Sequence, residues 1–162
     1  MLKPLIYVLQ FRGRASRSPG RRLVAELSAP SSALVTNLLV EGLHGHYELA
    51  PGGEARLRAD VSLEGDRFRT EGTITFATGH ELCFRTIETA RLAPTGDPHL
   101  THASVITEVI GGTGQFRGAH GQIVSNILVS DTGEVTDNHL GVIFVEATAR
   151  EETPCTHAFD RA

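Results

Sequence analysis

The chain has 162 residues, 40% of them hydrophobic, and a formal net charge of −4. This length supports one domain with a genuine core, and the acidic balance argues against a protein that coats nucleic acid. The chain has no tryptophan, two tyrosines and seven phenylalanines, so it is poorly supplied with the aromatic side chains on which single-stranded nucleic acids stack. We therefore expect no nucleic-acid partner.

The first 30 residues combine a short apolar run with a basic stretch. The run in MLKPLIYVLQF covers about seven residues, too few to span a bilayer, and no small-residue cleavage site follows it. Within the basic stretch, SRSPGRRLVAELSA is the one segment compatible with a short helix. Five arginines interleaved with serine, glycine and proline predict a strand that continues into a partly flexible arm: Arg12, Arg14, Arg17, Arg21 and Arg22.

The two cysteines, Cys83 and Cys155, bear on the cellular compartment. A chain of this length does not need a disulfide to fold, so two separate reduced thiols are favoured over a bonded pair. No segment approaches the apolar length of a membrane span. The sequence therefore predicts a cytoplasmic protein without membrane contact.

From about residue 33 onward the hydrophobic pattern has a period of two, which is typical of strands. EARLRADVSL and DRFRTEGTITF each place apolar residues on one side and polar residues mainly on the other. Further β-rich runs are HELCFRTIETARL, HLTHASVITEVI, GQIVSNILVS and EVTDNHLGVIFVEA, and turn sequences separate the runs: APGGE, LEGD, ATGH, APTGDP and SDTGE. We expect an all-β domain over residues 31–150 and a C-terminal tail over residues 151–162.

Short strands joined by hairpin-length loops predict an antiparallel sandwich or barrel. In the last hairpin both faces are apolar, and a half-solvated sheet would expose one of them. We therefore expect a second layer or another copy of the chain to cover the outer row, and we favour a closed barrel that associates through its outer wall. One row contains Val124, Leu128, Leu140, Val142 and Phe144; the other contains Ile123, Ile127, Val129, Ile143 and Val145.

Residues 111–121, GGTGQFRGAHG, contain five glycines. A phosphate-binding glycine loop needs a strand before it and a helix N-terminus after it. Here a strand pattern precedes the run, but the extended, β-branched GQIVSNILVS follows, and no Lys-Ser/Thr pair closes it. The run instead predicts backbone with positive φ, with Phe116 closing one end of the fold.

The segment VIGGTGQFRGAHGQIVSN resembles the GGxGxFxGAxG signature of the allene oxide cyclase and dirigent protein superfamily. A looser likeness covers residues 67–145. The resemblance implies an eight-stranded antiparallel barrel with a lipocalin-like hydrophobic cavity, commonly trimeric. Its members direct ring closure or coupling of a reactive small molecule without a metal or organic cofactor. Related bacterial barrels are cyclases in polyketide assembly, including cycloaddition catalysts.

The chain also departs from this family. Allene oxide cyclases carry functional glutamate and asparagine residues on an early strand, and LIYVLQFRGRASRSPG offers neither. His120 stands where dirigent proteins have an arginine. The plant substrates are therefore not carried over to this chain.

Polar residues on the expected strands are the candidates for catalysis. Asn126 falls opposite Asn138 or His139, depending on the length of the loop. If this face lines the cavity, the asparagines could bind a substrate carbonyl; otherwise they satisfy each other in the wall. Glu108 has isoleucines on its own face, where desolvation would suit a general acid or base, although an exposed position on a strand edge explains it as well.

The remaining candidates are less specific. His120 follows the glycines and suits proton transfer or the capping of a turn, and His139 has the same two interpretations. Glu71 and Arg85 occupy central positions of adjacent strands, where they contact substrate or form a cross-strand ion pair. The apolar residues predicted to contact substrate are Phe76, Phe84 and Phe144.

A rival metal site appears in HGHYE. His44, His46 and Glu48 share one strand face, as in the metal-binding half of a cupin. No later segment supplies a further ligand, so we favour a structural role and predict no metal.

These observations predict a cyclase or isomerase that needs no cofactor. A barrel cavity would fold a flexible, apolar, polyketide-like molecule for ring closure, with cycloaddition as one candidate reaction. The alternative is a barrel that only binds a lipophilic ligand. In either case we expect a homo-oligomer, a dimer or a trimer.

Overall fold

The computed structural model describes residues 1–18 and 22–147, and these form an antiparallel all-β domain. Their helical content is one 3₁₀ turn, Gly114–Phe116, so no described helix is long and apolar enough to cross a membrane. The strands are β1 (Leu2–Ser18), β2 (Arg22–Leu39), β3 (Gly42–Glu64), β4 (Arg67–Ala77), β5 (His80–Thr86), β6 (Ala90–Pro94), β7 (Leu100–Gly112), β8 (His120–Ser130) and β9 (Glu134–Glu146).

The strands form one sheet in the order β3-β2-β1-β9-β8-β7-β5-β4-β6. Because β3 also pairs with β4, eight strands form a ring, and the short β6 pairs with both β4 and β7. All of these pairings are antiparallel. The fold is therefore β-barrel-like, as the strand pattern predicted.

Residues 2–18 and 22–30, which include most of the predicted N-terminal strand and arm, lie in strands of the sheet. β1 pairs with β9 from Leu2 to Arg14 and with β2 from Arg12 to Ser18. The small residues of the basic stretch alternate inward while its arginines point outward, so a composition typical of flexible chains still suits a strand. The segment with a possible helix, from Arg22 onward, is β2; residues 19–21, including Arg21, lie outside the described residues.

The second and third strands are longer than the sequence predicts. The APGGE sequence lies within β3 rather than in a turn, and the β2–β3 hairpin continues to a turn at residues 40–41. Within this hairpin, the pairing of β2 with β3 shifts register between Pro30 and Ser32, as at a β-bulge. The other four predicted turn sequences connect strands as expected. The predicted tail, with Cys155, lies outside the described residues, and Cys83 is a free thiol.

The alternation predicted for β3 and β4 is confirmed. Leu57 and Ala59 are buried on β3, and Phe68 and Ile74 are buried on β4, while the intervening charged residues face outward. At the end of the ring that carries the glycine run, large apolar side chains fill the interior: Phe11, Ile74, Leu82, Phe116, Ile123 and Ile143.

The glycine run closes this filled end, and a strand follows it rather than a helix. Phe116 is buried, and its ring lies 5.1 Å from that of Phe76. Gly121 has a φ of 144°, and a Cβ there would lie 2.2 Å from the carbonyl oxygen of Val142. Glycine is therefore required for β8 to approach β9 at this point. The run has a structural role, and no helix N-terminus is present that could bind phosphate.

Candidate functional site

The interior contains a cavity of about 130 Å³. It lies toward the end of the ring opposite the glycine run, where turns join β3 to β4 and β8 to β9. Most of its lining is aliphatic or aromatic, and its polar side chains come from β4, β7, β8 and β9. The polar lining residues are Thr70, Thr107, Ser125, Asp137 and His139; the apolar ones include Leu27, Leu57, Phe68, Phe84, Ala103 and Val105.

Asp137 and His139 occupy successive inward positions of β9, and only 4% and 3% of their surfaces are exposed. Nδ1 of His139 lies 3.3 Å from Oδ2 of Asp137, within ion-pair distance but without hydrogen-bond alignment. Ser125 on β8 donates a hydrogen bond from Oγ to the same Oδ2 over 3.1 Å. The serine therefore holds the carboxylate, and the carboxylate faces the imidazole.

Tyr7 on β1 extends this group of polar side chains. Its ring stacks on His139 with a centroid distance of 5.7 Å, and Phe11 contacts the same imidazole at 5.2 Å. Gly141 makes room for the tyrosine, since a Cβ there would lie 2.1 Å from Cε1 of Tyr7. We call Tyr7, Ser125, Asp137 and His139 the polar cluster.

The polar cluster is incompletely hydrogen-bonded. Among the described residues, Oη of Tyr7, Oδ1 of Asp137 and both ring nitrogens of His139 have no hydrogen-bond partner. Leaving a buried polar group unpaired costs about 1–3 kcal/mol, and natural cores contain few such groups. Their concentration beside an apolar cavity identifies this place as the candidate site.

The structure places Asn126 and Asn138 on the outer face of the sheet. They lie directly opposite each other, as one of the two predicted registers requires. Gln10 donates to Oδ1 of Asn138 over 2.9 Å, and Ser104 donates to Oδ1 of Asn126 over 2.8 Å. The amides belong to a hydrogen-bonded row across four strands and do not line the cavity.

Glu108, Arg85 and Glu71 also face outward. Nε of Arg85 lies 2.6 Å from Oε1 of Glu108, and both side chains are substantially exposed. Glu71 is the strand partner of Arg85, as predicted. Solvent screens such a pair. Glu108 is therefore not buried in the interior, where desolvation would suit it to act as a general acid or base.

Of the other predicted site residues, His139 and Phe84 line the cavity. Phe76 faces inward but packs in the filled half, against Tyr7 and Phe116. His120 and Phe144 lie on the outer face, where their rings stack at 5.4 Å.

The rival metal-binding residues lie far out on the β2–β3 hairpin. His44, His46 and Glu48 are exposed, and Nε2 of His46 lies 3.0 Å from Oε1 of Glu48. Within residues 1–18 and 22–147, no three histidine, cysteine or acidic side chains are grouped so that they could hold a metal ion.

Sequence reasoning did not select Tyr7, Ser125 or Asp137. The signal that could have found Ser125 and Asp137 is the alternation of side chains between the two faces of the last hairpin. Asp137 and His139 share their face with Ile143, and Ser125 shares its face with Ile123. An acid and a histidine two residues apart on a buried strand face need a partner or a function.

Alkaline titration is expected to separate the two tyrosines. Burial, with a smaller contribution from the Asp137 carboxylate, raises the pKa of Tyr7 far above its ordinary value of 10.0, whereas Tyr47 is partly exposed on β3. The folded protein should therefore show one phenolate in absorbance at 295 nm, and the second should appear only on unfolding. Because unfolded Tyr7 loses its proton near its ordinary pKa and folded Tyr7 keeps it, stability should fall as pH rises above 10.

Two variants assign the steps of this titration. Tyr47→Phe should remove the first step, and Tyr7→Phe should remove the second and reduce the loss of stability above pH 10. Ionisation of both tyrosines in the folded protein would contradict the buried position of Tyr7.

Comparison with known proteins provides no relative from which a function could be transferred. No family model matches the chain, and no curated protein or solved structure does. The likeness of residues 109–126 to the allene oxide cyclase and dirigent signature therefore stays a prediction, and the chemistry of the cavity is the main basis for assigning a function.

Proposed function

We propose that the protein is a cyclase or isomerase that binds a compact, largely apolar molecule inside a closed barrel and rearranges it by proton transfer. The observation that carries this proposal is the Asp137–His139 pair, buried at the wall of an apolar cavity. A buried acid and imidazole beside a ligand-sized space are the usual components of general acid–base catalysis. The resemblance of the glycine run to a superfamily of ring-closing barrels supports the same class of reaction.

In this proposal His139 moves the proton. Asp137 faces Nδ1 and stabilises the imidazolium that forms when Nε2 accepts a proton from the substrate. Ser125 fixes the carboxylate, and the stacked ring of Tyr7 and the tilted ring of Phe11 hold the imidazole in place. The serine hydroxyl donates to Asp137 rather than to His139, so the arrangement favours proton transfer over nucleophilic attack by serine.

The cavity contributes by confining the substrate. Its apolar walls exclude water from the reacting atoms and restrict a flexible chain to conformers in which those atoms are close. A volume of about 130 Å³ is smaller than the roughly 300–1,000 Å³ of common ligand pockets. We therefore narrow the polyketide-like substrate expected from the resemblance to a compact molecule, or to the compact reacting end of a larger one.

Isomer formation tests the proposal directly. The purified protein is incubated with a panel of small linear dienes, enones and hydroxy-enones, and the products are separated by chromatography with mass detection. A product of unchanged mass and new retention time, formed faster than in buffer, is expected for at least one compound. If no member of a broad panel is converted, the enzymatic proposal fails.

A carrier is the second candidate, because the cavity lining is mostly apolar and binding alone does not need the polar cluster. The two functions differ in their response to Asp137→Asn. Turnover that falls while ligand affinity holds supports the enzyme. Tight binding of a lipophilic ligand without conversion, unaffected by this variant, supports the carrier.

We also propose that the outer wall formed by β1, β9, β8 and β7 binds a second copy of the chain. Val8, Leu140, Val124 and Ile106 form one row across these four strands. Ile6, Ile110, Leu128, Val142 and Phe144 are exposed around this row. Contiguous apolar patches of this kind mark interaction surfaces, and the described residues contain no second layer over them.

Sedimentation velocity tests this association. The protein should sediment as an oligomer, and Leu140→Glu should sediment as a folded monomer because it buries a charge in the interface. Leu49→Glu, at an exposed leucine on β3 outside the outer wall, is the matched control and should stay oligomeric. A monomeric wild-type protein at about 100 µM, well above the dissociation constant of a stable interface, would contradict the proposal.

A further inference from the structure

The polar cluster restricts the charge of any guest in the cavity. Asp137 is the one carboxylate among the lining residues, and neither lysine nor arginine is among them. A guest carboxylate or phosphate would lose its hydration and meet the like charge of Asp137 without a lysine or arginine to pair with, which is costly in an apolar interior. The cavity is therefore unsuited to fatty-acid-like anions and to phosphorylated molecules.

The unpaired atoms of the polar cluster also specify the hydrogen-bonding character of the guest. Oδ1 of Asp137 accepts only, as long as the carboxylate is ionised, so it requires a donor from the guest. Nε2 of His139, which also lines the cavity, donates or accepts according to its protonation. A hydroxyl group, which donates and accepts at one atom, satisfies two of these positions together.

The volume of the cavity limits the apolar part of the guest. A dry apolar cavity of roughly 150 Å³ is known to hold benzene, and this cavity has a volume of about 130 Å³. One six-membered ring, or an equally compact chain, is therefore the size that the interior accepts. Ala103, Val105 and Leu57 form part of the wall against which this ring would pack.

We propose that the cavity selects neutral molecules with a hydroxyl donor, an alcohol or an enol on a compact apolar body, and rejects carboxylates. The hydroxyl lies against Asp137 and His139, which line the cavity, and the apolar body fills the remaining space. This inference rests on the proposed function for the location of the site. It adds the chemical class of the ligand, which neither proton transfer nor confinement by itself specifies.

Three six-membered-ring probes test the selectivity at pH 7 by isothermal titration calorimetry: cyclohexanol, cyclohexanone and cyclohexanecarboxylate. The alcohol should bind at least tenfold more tightly than the ketone, which lacks a donor for Asp137, and the carboxylate should show no binding. Carboxylate binding as tight as that of the alcohol would overturn the inference. Equal affinities for alcohol and ketone, or no binding of cyclohexanol at millimolar concentration, would overturn it as well.

Variants locate the selectivity at the polar cluster. Asp137→Asn should weaken cyclohexanol binding about fivefold, since the hydrogen bond loses its charge, and should improve binding of the carboxylate. Asp60→Asn, at an exposed acid on the outer side of β3, is the matched control and should change neither affinity. Unchanged affinities for both probes in Asp137→Asn would refute the assignment.

This experiment separates the inference from the proposed function. Selective binding of the alcohol with no conversion in the isomerisation panel keeps the ligand class and refutes the enzyme. Conversion of a carboxylate-bearing substrate inside the cavity keeps the enzyme and refutes the ligand class.

Discussion

His139→Phe is expected to lower the free energy of unfolding by about 3–5 kcal/mol at pH 7, whereas Asp137→Leu/His139→Phe should stay within about 1 kcal/mol of the wild-type value. The single variant leaves the Asp137 carboxylate buried with Ser125 as its one hydrogen-bond donor. The double variant removes both ionisable groups, and leucine has the same branching as aspartate. Chemical denaturation, with Asp137→Leu as the fourth corner of the cycle, measures the coupling energy of the pair.

The exposed pair His99–Asp131 is the matched control for this cycle. Nδ1 of His99 lies 2.8 Å from Oδ2 of Asp131, a shorter distance than in the buried pair, but both side chains are mostly exposed. The same substitutions there should change stability by less than about 1 kcal/mol with little coupling. A double variant of the buried pair that loses as much stability as the two single variants summed would show that Asp137 and His139 do not act as a unit.

Strand alternation predicts the interior well where one face is clearly polar. On β3, arginine and aspartate alternate with leucine and alanine, and Leu57 and Ala59 are buried as expected. On β8 and β9 both faces are apolar, so the pattern defines two rows without deciding which of them lies inside.

The structure resolves this ambiguity in favour of the row that contains Ser125, Asp137 and His139. Both rows also carry polar side chains, with Asn126 and Asn138 on the opposite row, so hydrophobicity alone does not decide which row is inside, although polar side chains are usually outside. The polar cluster is buried in spite of this tendency, and functional sites are the places where such exceptions are expected. Asn126 was therefore a reasonable candidate on the wrong face, whereas His139 is on the inner one.

The glycine run shows what a local motif can and cannot predict. The β-branched residues after Gly121 correctly predict a strand rather than a helix, because they restrict the chain to extended backbone. The close approach of Gly121 to Val142 depends on strand pairing, which no local pattern contains. The long β2–β3 hairpin was missed for a related reason: Gly52 and Gly53 suggest a turn, but β3 pairs with β2 on both sides of residues 50–53 and continues past them.

Asp137→Leu/His139→Phe should also lower turnover of any substrate found in the isomerisation panel by about 10²–10⁴-fold, the usual contribution of a general acid–base group. Because the double variant is expected to be as stable as the wild-type protein, this loss would report the missing proton transfer rather than unfolding. Turnover and the free energy of unfolding should be measured on the same preparations. Near-wild-type turnover in the folded double variant would remove His139 from the mechanism.

Substitutions of residues on the outer face of the sheet provide the complementary test of this prediction. Asn126→Ala, Glu108→Gln and His120→Gln should each keep turnover within about twofold, since surface changes away from a site have small effects. Glu108 pairs with Arg85, and His120 stacks on Phe144, both on the solvent side of the wall. A tenfold loss in any of these three variants, with retained folding and assembly, would place the reaction at the outer wall. Loss confined to the polar cluster places it in the cavity, where one imidazole and one carboxylate are shielded from water.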